Sequence, residues 1–187
     1  QRPGGGEKTI GVVRLALNHD ITATPRRVRV NGKAGEWKNT DEALFLGEFS
    51  DAYATVRSAQ DKDNIFFLVE VSDTDMTASD YVTLMLAETG SRVADALTVN
   101  VSADGLVIAE KGGFDVDSIV SARVSEGTVD KEGWAVEIAV PRGILAIKDS
   151  AIALNAVLHD NASGREDFLS EPMEDGLTTN WKHIKGL

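Results

Sequence analysis

Gly133-Trp134-Ala135-Val136-Glu137-Ile138-Ala139-Val140-Pro141 alternates without a break. Trp134, Val136, Ile138 and Val140 fall on one side, and Ala135, Glu137 and Ala139 on the other, which is the two-residue period of a β-strand. The first side is built for a core. The second, small and carrying an acid, reads as the non-core side. Gly133 lets the chain turn into the strand. Pro141 has no N–H to give a ladder, so it ends the strand and can open a short helical turn over Arg142 to Ala146.

Working outward, the same period recurs on both sides. Ala151 to His159 sets Ile152, Leu154 and Leu158 against Asn155 and His159, and Ile119 to Val124 precedes the Gly133 strand. Tyr53 to Ser58 and Ile65 to Val71, joined by the polar turn Gln60-Asp61-Lys62-Asp63-Asn64, predict a hairpin. Its second strand is apolar on both sides and is therefore expected to be central and covered twice. Asp80 to Ala87 follows an acidic loop over Ser72 to Ser79, and Ala96 to Ser102 turns through Ala103-Asp104-Gly105 into Leu106 to Ala109. Arg26 to Val30 reads as a strand with Val28 and Val30 inward. The Asn31-Gly32 turn after it leads to Trp37, expected to plug one end of the core. Thr9 to Leu17 is a further candidate strand. A polar loop spans Asp160 to Thr179, and a last strand runs from about Asn180 to Leu187. The count is about nine to eleven short strands, with turn signals roughly every 8 to 12 residues and almost no helical period. The expected fold class is all-β: an antiparallel β-sandwich, jelly-roll-like, of two packed sheets with little helix. Residues 25–187 form that sandwich, and residues 1–24 read as a linker, an upstream-domain remnant or an added edge strand.

The 187 residues carry 19 Lys and Arg against 30 Asp and Glu, a net charge of −11 that repels nucleic acid and anionic lipid surfaces. Arg26, Arg27, Arg29 and Lys33 are the one basic cluster and read as a solvated strand edge. With no cysteine there is neither a disulfide nor thiolate chemistry, which fits an exported protein without requiring one. There is no apolar run long enough for a membrane span, and no signal peptide in this sequence.

No catalytic motif emerges. His19, His159 and His183 lack the close spacing of a zinc site, and neither a G-x-S-x-G elbow nor a Gly-rich phosphate loop is present. The chain is therefore expected not to be an enzyme. Asp73, Asp75 and Asp80 offer oxygen ligands that suit calcium, the one candidate ion, against the plainer reading of solvated loop carboxylates. Asp115 and Asp117 are a second such pair. Glu70, Thr83, Thr98, Asn100, Glu137, Asn155 and His159 lie on non-core sides of their strands. If those strands are neighbours, the set forms a hydrogen-bonding floor of the kind sugars use; otherwise it is an ordinary solvated sheet face. Trp181, between Asn180 and Lys182-His183, is either an exposed platform for the C–H face of a sugar ring or the residue that closes the sandwich.

Five stretches, in order, carry a resemblance. Val30-Asn31-Gly32-Lys33 with Glu36-Trp37 is like a "V-D-G-x-x-D/E-W" opening. Asp63 to Val71 followed by Asp73 is like "N-x-L-Y-V-x-V-x-V-x-D", and Asp80 to Leu86 is like "D-x-V-E-I-F". Gly133 to Pro141 is like "G-W-x-V-E-x-A-I-P", and Leu154-Asn155 through Asp160 is like "G-F-N-x-x-x-x-D". Together they resemble the family 9 carbohydrate-binding modules and their DOMON-like β-sandwich relatives over residues 26 to 187. The resemblance implies a non-catalytic accessory module of a larger secreted, glycan-active bacterial protein, extracellular, at the cell surface or periplasmic. Its partner would be a poly- or oligosaccharide.

The sequence also departs from the family. Where the family's modules hold a sugar between two tryptophans, the loop Asp75-Met76-Thr77-Ala78-Ser79 has no aromatic, and only Trp181 has a counterpart. The ligand-contacting Glu, Arg and Gln fall at Thr83, Thr98 and Val157. An atypical or degenerate sugar site is therefore expected. The alternative is a structural domain that packs on a neighbouring catalytic domain and binds no sugar. Relatives that hold haem do so through Met and Lys, and Met76, Met85 and Met173 are present here, though nothing in the sequence marks a haem pocket.

Overall fold

In a computed structural model, residues 20–38, 41–126 and 133–187 are described. In chain order the strands are β1 (Ile21–Thr22), β2 (Thr24–Pro25), β3 (Ala43–Gly47), β4 (Ala52–Gln60), β5 (Asn64–Asp73), β6 (Tyr81–Ala87) and β7 (Leu97–Ser102). They continue with β8 (Val107–Lys111), β9 (Phe114–Asp115), β10 (Ser121–Glu126), β11 (Gly133–Pro141), β12 (Ala151–Asp160), β13 (Arg165–Phe168) and β14 (Lys182–Lys185). Helix is confined, among the described residues, to single turns of 3-10 type at Ala34–Glu36, Val93–Asp95 and Arg142–Ile144. The expected strand Thr9 to Leu17 lies outside the described residues.

Two sheets pack face to face. The six-stranded sheet runs β10-β11-β5-β4, with β2 and β3 sharing the far edge of β4. The eight-stranded sheet runs β1-β14-β12-β6-β7-β8-β9, with β13 beside the other half of β12. All pairings are antiparallel except β1 with β14 and β2 with β4, which are parallel and make both sheets mixed. Both exceptions belong to the incoming segment, whose direction along a sheet edge no hairpin dictates. The central core joins Trp134, Val136, Ile138 and Val140 of β11 to Phe67, Val69 and Val71 of β5, and to Leu84, Val99 and Leu154 of the other sheet. Fully burying a Val, Leu or Phe of this set contributes about 1.5–3 kcal/mol.

Four expectations need correction. Residues 26–30 form no strand: Arg26 N donates to Gln60 O and the chain then leaves the edge to cross the outside of the six-stranded sheet. Val28 buries there with Trp37, Phe66, Leu68, Ala135 and Ala139, a second small core, so Trp37 covers a sheet face and does not plug an end. The second side of β11 is accordingly not open. Glu137 is fully buried and accepts hydrogen bonds from Asn31 N (2.8 Å), Gly32 N (2.9 Å) and Trp37 Nε1 (2.9 Å). β3 and β13 are additional strands, the latter inside the stretch expected to be an irregular loop. The hairpin β4–β5, the double coverage of β5 and the hairpin β7–β8 are as the alternation implies.

Glu137→Ala strips three N–H groups of their acceptor, those of Gly32 and Trp37 in buried bonds and that of Asn31 in a part-buried one. Its expected cost is about 3 kcal/mol or more, against roughly 1–2 kcal/mol for Trp37→Phe, and the double variant should lose less than the sum. Urea denaturation measures all three, and a wild-type midpoint for Glu137→Ala would show that the bonds contribute nothing. At Gly133, a Cβ would lie 2.1 Å from the Val71 carbonyl oxygen. Gly133→Ala should therefore destabilise by about 2 kcal/mol or more, through forced movement of backbone against backbone.

Candidate functional site

The outward positions separate by sheet. Val82, Leu84 and Leu86 of β6 point to the core, which turns Tyr81, Thr83 and Met85 outward. Register then aligns His159, Tyr81 and Ser102 in one row across β12, β6 and β7, and Val157, Thr83, Asn100 and Ile108 in the next, which continues onto β8. Thr83, Thr98, Asn100, Asn155 and His159 therefore share the outer face of the eight-stranded sheet. Glu70 and Glu137 stand on β5 and β11, on the opposite outside of the sandwich. The expected floor is thus divided between two faces, because β5 and β11 joined one sheet and β6, β7 and β12 the other.

On the eight-stranded face several polar groups are already engaged. Thr83 Oγ1 donates to Asn100 Oδ1 (2.6 Å) and lies 3.0 Å from His159 Nε2, while His159 Nδ1 is 3.0 Å from Glu166 Oε1. The His159 ring stacks on Tyr81 at 3.9 Å and 11°. Burial lowers the His159 pKa, partly offset by the charge and hydrogen bond of Glu166. Asn155 is committed to the fold: its Nδ2 donates to Ser170 O and its Oδ1 accepts from Ser170 N, both at 2.9 Å. Trp181 is only 4% exposed and packs on Met85, Ala87, Ala96 and Ala153 outside the central core, so it covers part of this outer face, neither closing the sandwich nor offering an exposed platform.

What remains open on this face is a cavity of about 470 Å³ lined by Tyr81, Asn100, Ser102, Asp104, Leu106 and Ile108, with Ala78 and Ser79 at its rim. Leu106 and Ile108 are exposed, and Asn100, with Oδ1 taken by Thr83, keeps its amide N–H groups. Apolar walls with a few polar groups, in a hollow of this size, suit a small hydroxylated ring. Sequence reading missed Tyr81, Ser102 and Asp104. Tyr81 and Ser102 were legible as the outward residues beside Val82 and Val101, but Asp104 sits in a turn whose placement is tertiary.

No family model matches the chain, and neither does any curated protein. Solved structures do match. A carbohydrate binding module family 9 from Caldicellulosiruptor kristjanssonii in complex with cellotriose is similar with a TM-score of 0.69 and 15% identity, over 88% of this chain and 92% of that one. A family 9 module from the same organism in complex with glucose is similar at 0.70 and 14% identity, over 88% and 94%. The fold is that of a family 9 carbohydrate-binding module. Of the positions where the resemblance puts sugar contacts, Thr83 is 8% and Val157 3% exposed, and Thr98 is half-buried.

At one end of the sandwich the acidic loop meets the end of β12. Asp73, Asp80 and Asp160, all buried, place carboxylate oxygens within 4.8 Å of one another, and Asp75 makes an overlapping group with Asp51 and Asp160. The candidate ligands Asp73, Asp75 and Asp80 are thus joined by Asp160 and Asp51, which are distant in sequence. A set of hard oxygen donors of this kind suits calcium. Burial pushes the Asp73 carboxyl up to about 6, with the charges of Asp160 and Asp80 adding to the rise. Against burial, hydrogen bonds from Ser163 and Ala162 and the charge of Arg165 hold Asp160 below its ordinary value.

Because folded Asp73 holds its proton more tightly than the unfolded chain does, its contribution is present below about pH 4 and lost as the pH rises through about 6. In chelator, stability should fall across that window. Asp73→Asn should flatten the fall and gain on the order of 1 kcal/mol at pH 7, with solvent screening included. Millimolar calcium should raise the wild-type Tm at pH 7 by roughly 5 °C or more and leave Asp73→Asn unmoved. A wild-type Tm indifferent to calcium would remove the ion from this site.

Proposed function

We propose that this chain is a non-catalytic carbohydrate-binding module of a larger secreted, glycan-active protein, extracellular, at the cell surface or periplasmic, and that its sugar site is atypical. The observation that carries the reading is the cavity at Tyr81, Asn100 and Asp104, open on the same sheet face that holds the polar row, in a fold whose solved examples include complexes with glucose and cellotriose. Asn100 and Asp104 would meet hydroxyls, Tyr81 and Ile108 the C–H faces, and Thr83 with His159 would hold Asn100 and Tyr81 in place. Thr98 borders this row on β7. Asn155, Glu137 and Trp181 support the scaffold. Calcium, if bound by Asp73, Asp75, Asp80 and Asp160, would fix the loop that leads to Tyr81.

A second reading also has an observation behind it: Trp181 is buried, while Leu106, Ile108, Ile119 and Phe114 are exposed toward one sheet edge. That is the character of a domain that packs on a neighbouring catalytic domain. Affinity electrophoresis on soluble glucans, xylans and mannans distinguishes the two. Under the first reading the wild-type protein is retarded, and Tyr81→Ala and Asn100→Ala weaken binding about tenfold or more. Under the second no glycan retards it, and the first reading falls.

A further inference from the structure

The opposite outside of the sandwich carries an aromatic group that the cavity does not use. Leu44 and Leu46 of β3 and Ala52, Ala54 and Val56 of β4 point into the core, which turns Phe45 and Tyr53 outward. Their rings lie 5.5 Å apart at 29°, and Phe49, from the turn between the two strands, completes the group at 4.5 Å and 28° from Phe45 and 4.9 Å from Tyr53. Phe49 is 69% exposed, yet its turn is tightly fixed. Gly47 has φ +92°, where a Cβ would lie 2.5 Å from the Ala52 carbonyl oxygen, and Glu48 N donates to Ala52 O at 2.9 Å. Arg165 of β13 grips the same turn through Asp51 (2.6 Å) and Glu48 (3.5 Å). A large apolar ring held in water by a braced turn is costly to keep unless something covers it.

The surroundings select the occupant. Register puts Thr55 opposite Phe45 and Glu70 opposite Thr55, and the Arg57 guanidinium pairs with Glu70, so polar groups are interleaved with the rings on one face. A wholly apolar partner would bury the Thr55 hydroxyl and the exposed side of Glu70 with nothing to bond them. With carboxylates of Glu48, Asp51 and Glu70 nearby and a chain charge of −11, anionic lipid and nucleic acid are repelled. An uncharged ligand with apolar C–H faces and hydroxyl edges fits both features. We propose that Phe45, Phe49 and Tyr53 form a second glycan platform, separate from the cavity, that stacks the rings of a neutral polysaccharide chain. This rests on the carbohydrate reading of the module but on a different face of it.

The test is affinity electrophoresis of the whole chain on neutral polysaccharides, with Phe49→Ala, Phe49→Tyr and the cavity variant Asn100→Ala. Phe49→Ala, at an exposed position, should keep the wild-type Tm and bind about tenfold more weakly, while Phe49→Tyr retains binding. Loss in Phe49→Ala with Asn100→Ala unaffected would support the platform and remove the cavity. Unchanged binding by Phe49→Ala with loss in Asn100→Ala would overturn the platform alone. A wild-type protein that binds no glycan would overturn both, as would a Phe49-dependent dimer in sedimentation for the platform.

Discussion

A single buried acid holds the outside of the six-stranded sheet together. Glu137 points away from the central core, in the middle of β11, with no solvent to receive it. An acid placed there without partners would cost several kcal/mol. Its oxygens instead meet two consecutive backbone N–H groups of the Asn31–Gly32 turn, where Gly32 takes φ 76°, and the indole N–H of Trp37. These bonds pin residues 28–37 over Phe66, Leu68 and Ala135, which in turn makes β5 and β11 central strands covered on both sides.

That wrap also decides what the sheet leaves free. It covers the end of the outer face at Glu137 and Leu68, beyond which lie the Arg57–Glu70 pair and then Phe45 and Tyr53. The other sheet partitions itself in a similar way. Trp181 seals the patch at Met85, Ala87 and Ala153, the Asn155 amide ties down Ser170, and the open hollow is left toward β7 and β8. Outward-facing polar side chains on strands are thus not equivalent to a binding surface: several are consumed in fixing the segments that cross above them.

Similarity in fold at 14–15% identity is consistent with this division. The two-residue alternation can be met by many combinations of Val, Ile, Leu and Ala, so architecture survives wide substitution. Recognition depends on particular groups at particular places, and the sequence resemblance implies Thr83, Thr98 and Val157 at positions where the family's modules carry charged or amide side chains. The groups left accessible lie at Tyr81 and Asn100, both part-exposed, on one sheet and at Phe49 on the other.

Alternation along β5, β6, β7, β11 and β12 was readable because burial on one face is a local, periodic property of a strand. It specified the sandwich, its two long hairpins and the outward position of Thr83, Asn100 and His159. Over residues 26–30 the same alternation reported burial without strand pairing, since Val28 packs on a sheet face that bonds to no neighbour there. β13 escaped notice because a short edge strand needs little apolar content, and β3 because Ala43-Leu44-Phe45-Leu46 is a short continuous apolar run with no two-residue period to mark it. Which sheet each strand joins, and therefore that Glu137 and His159 face opposite ways, that Asp160 meets Asp73 and Asp80, and that Trp181 is covered, came only from tertiary structure. Those relations join residues tens of positions apart, and the energy that fixes them arises from packing and desolvation between strands, which no local period encodes.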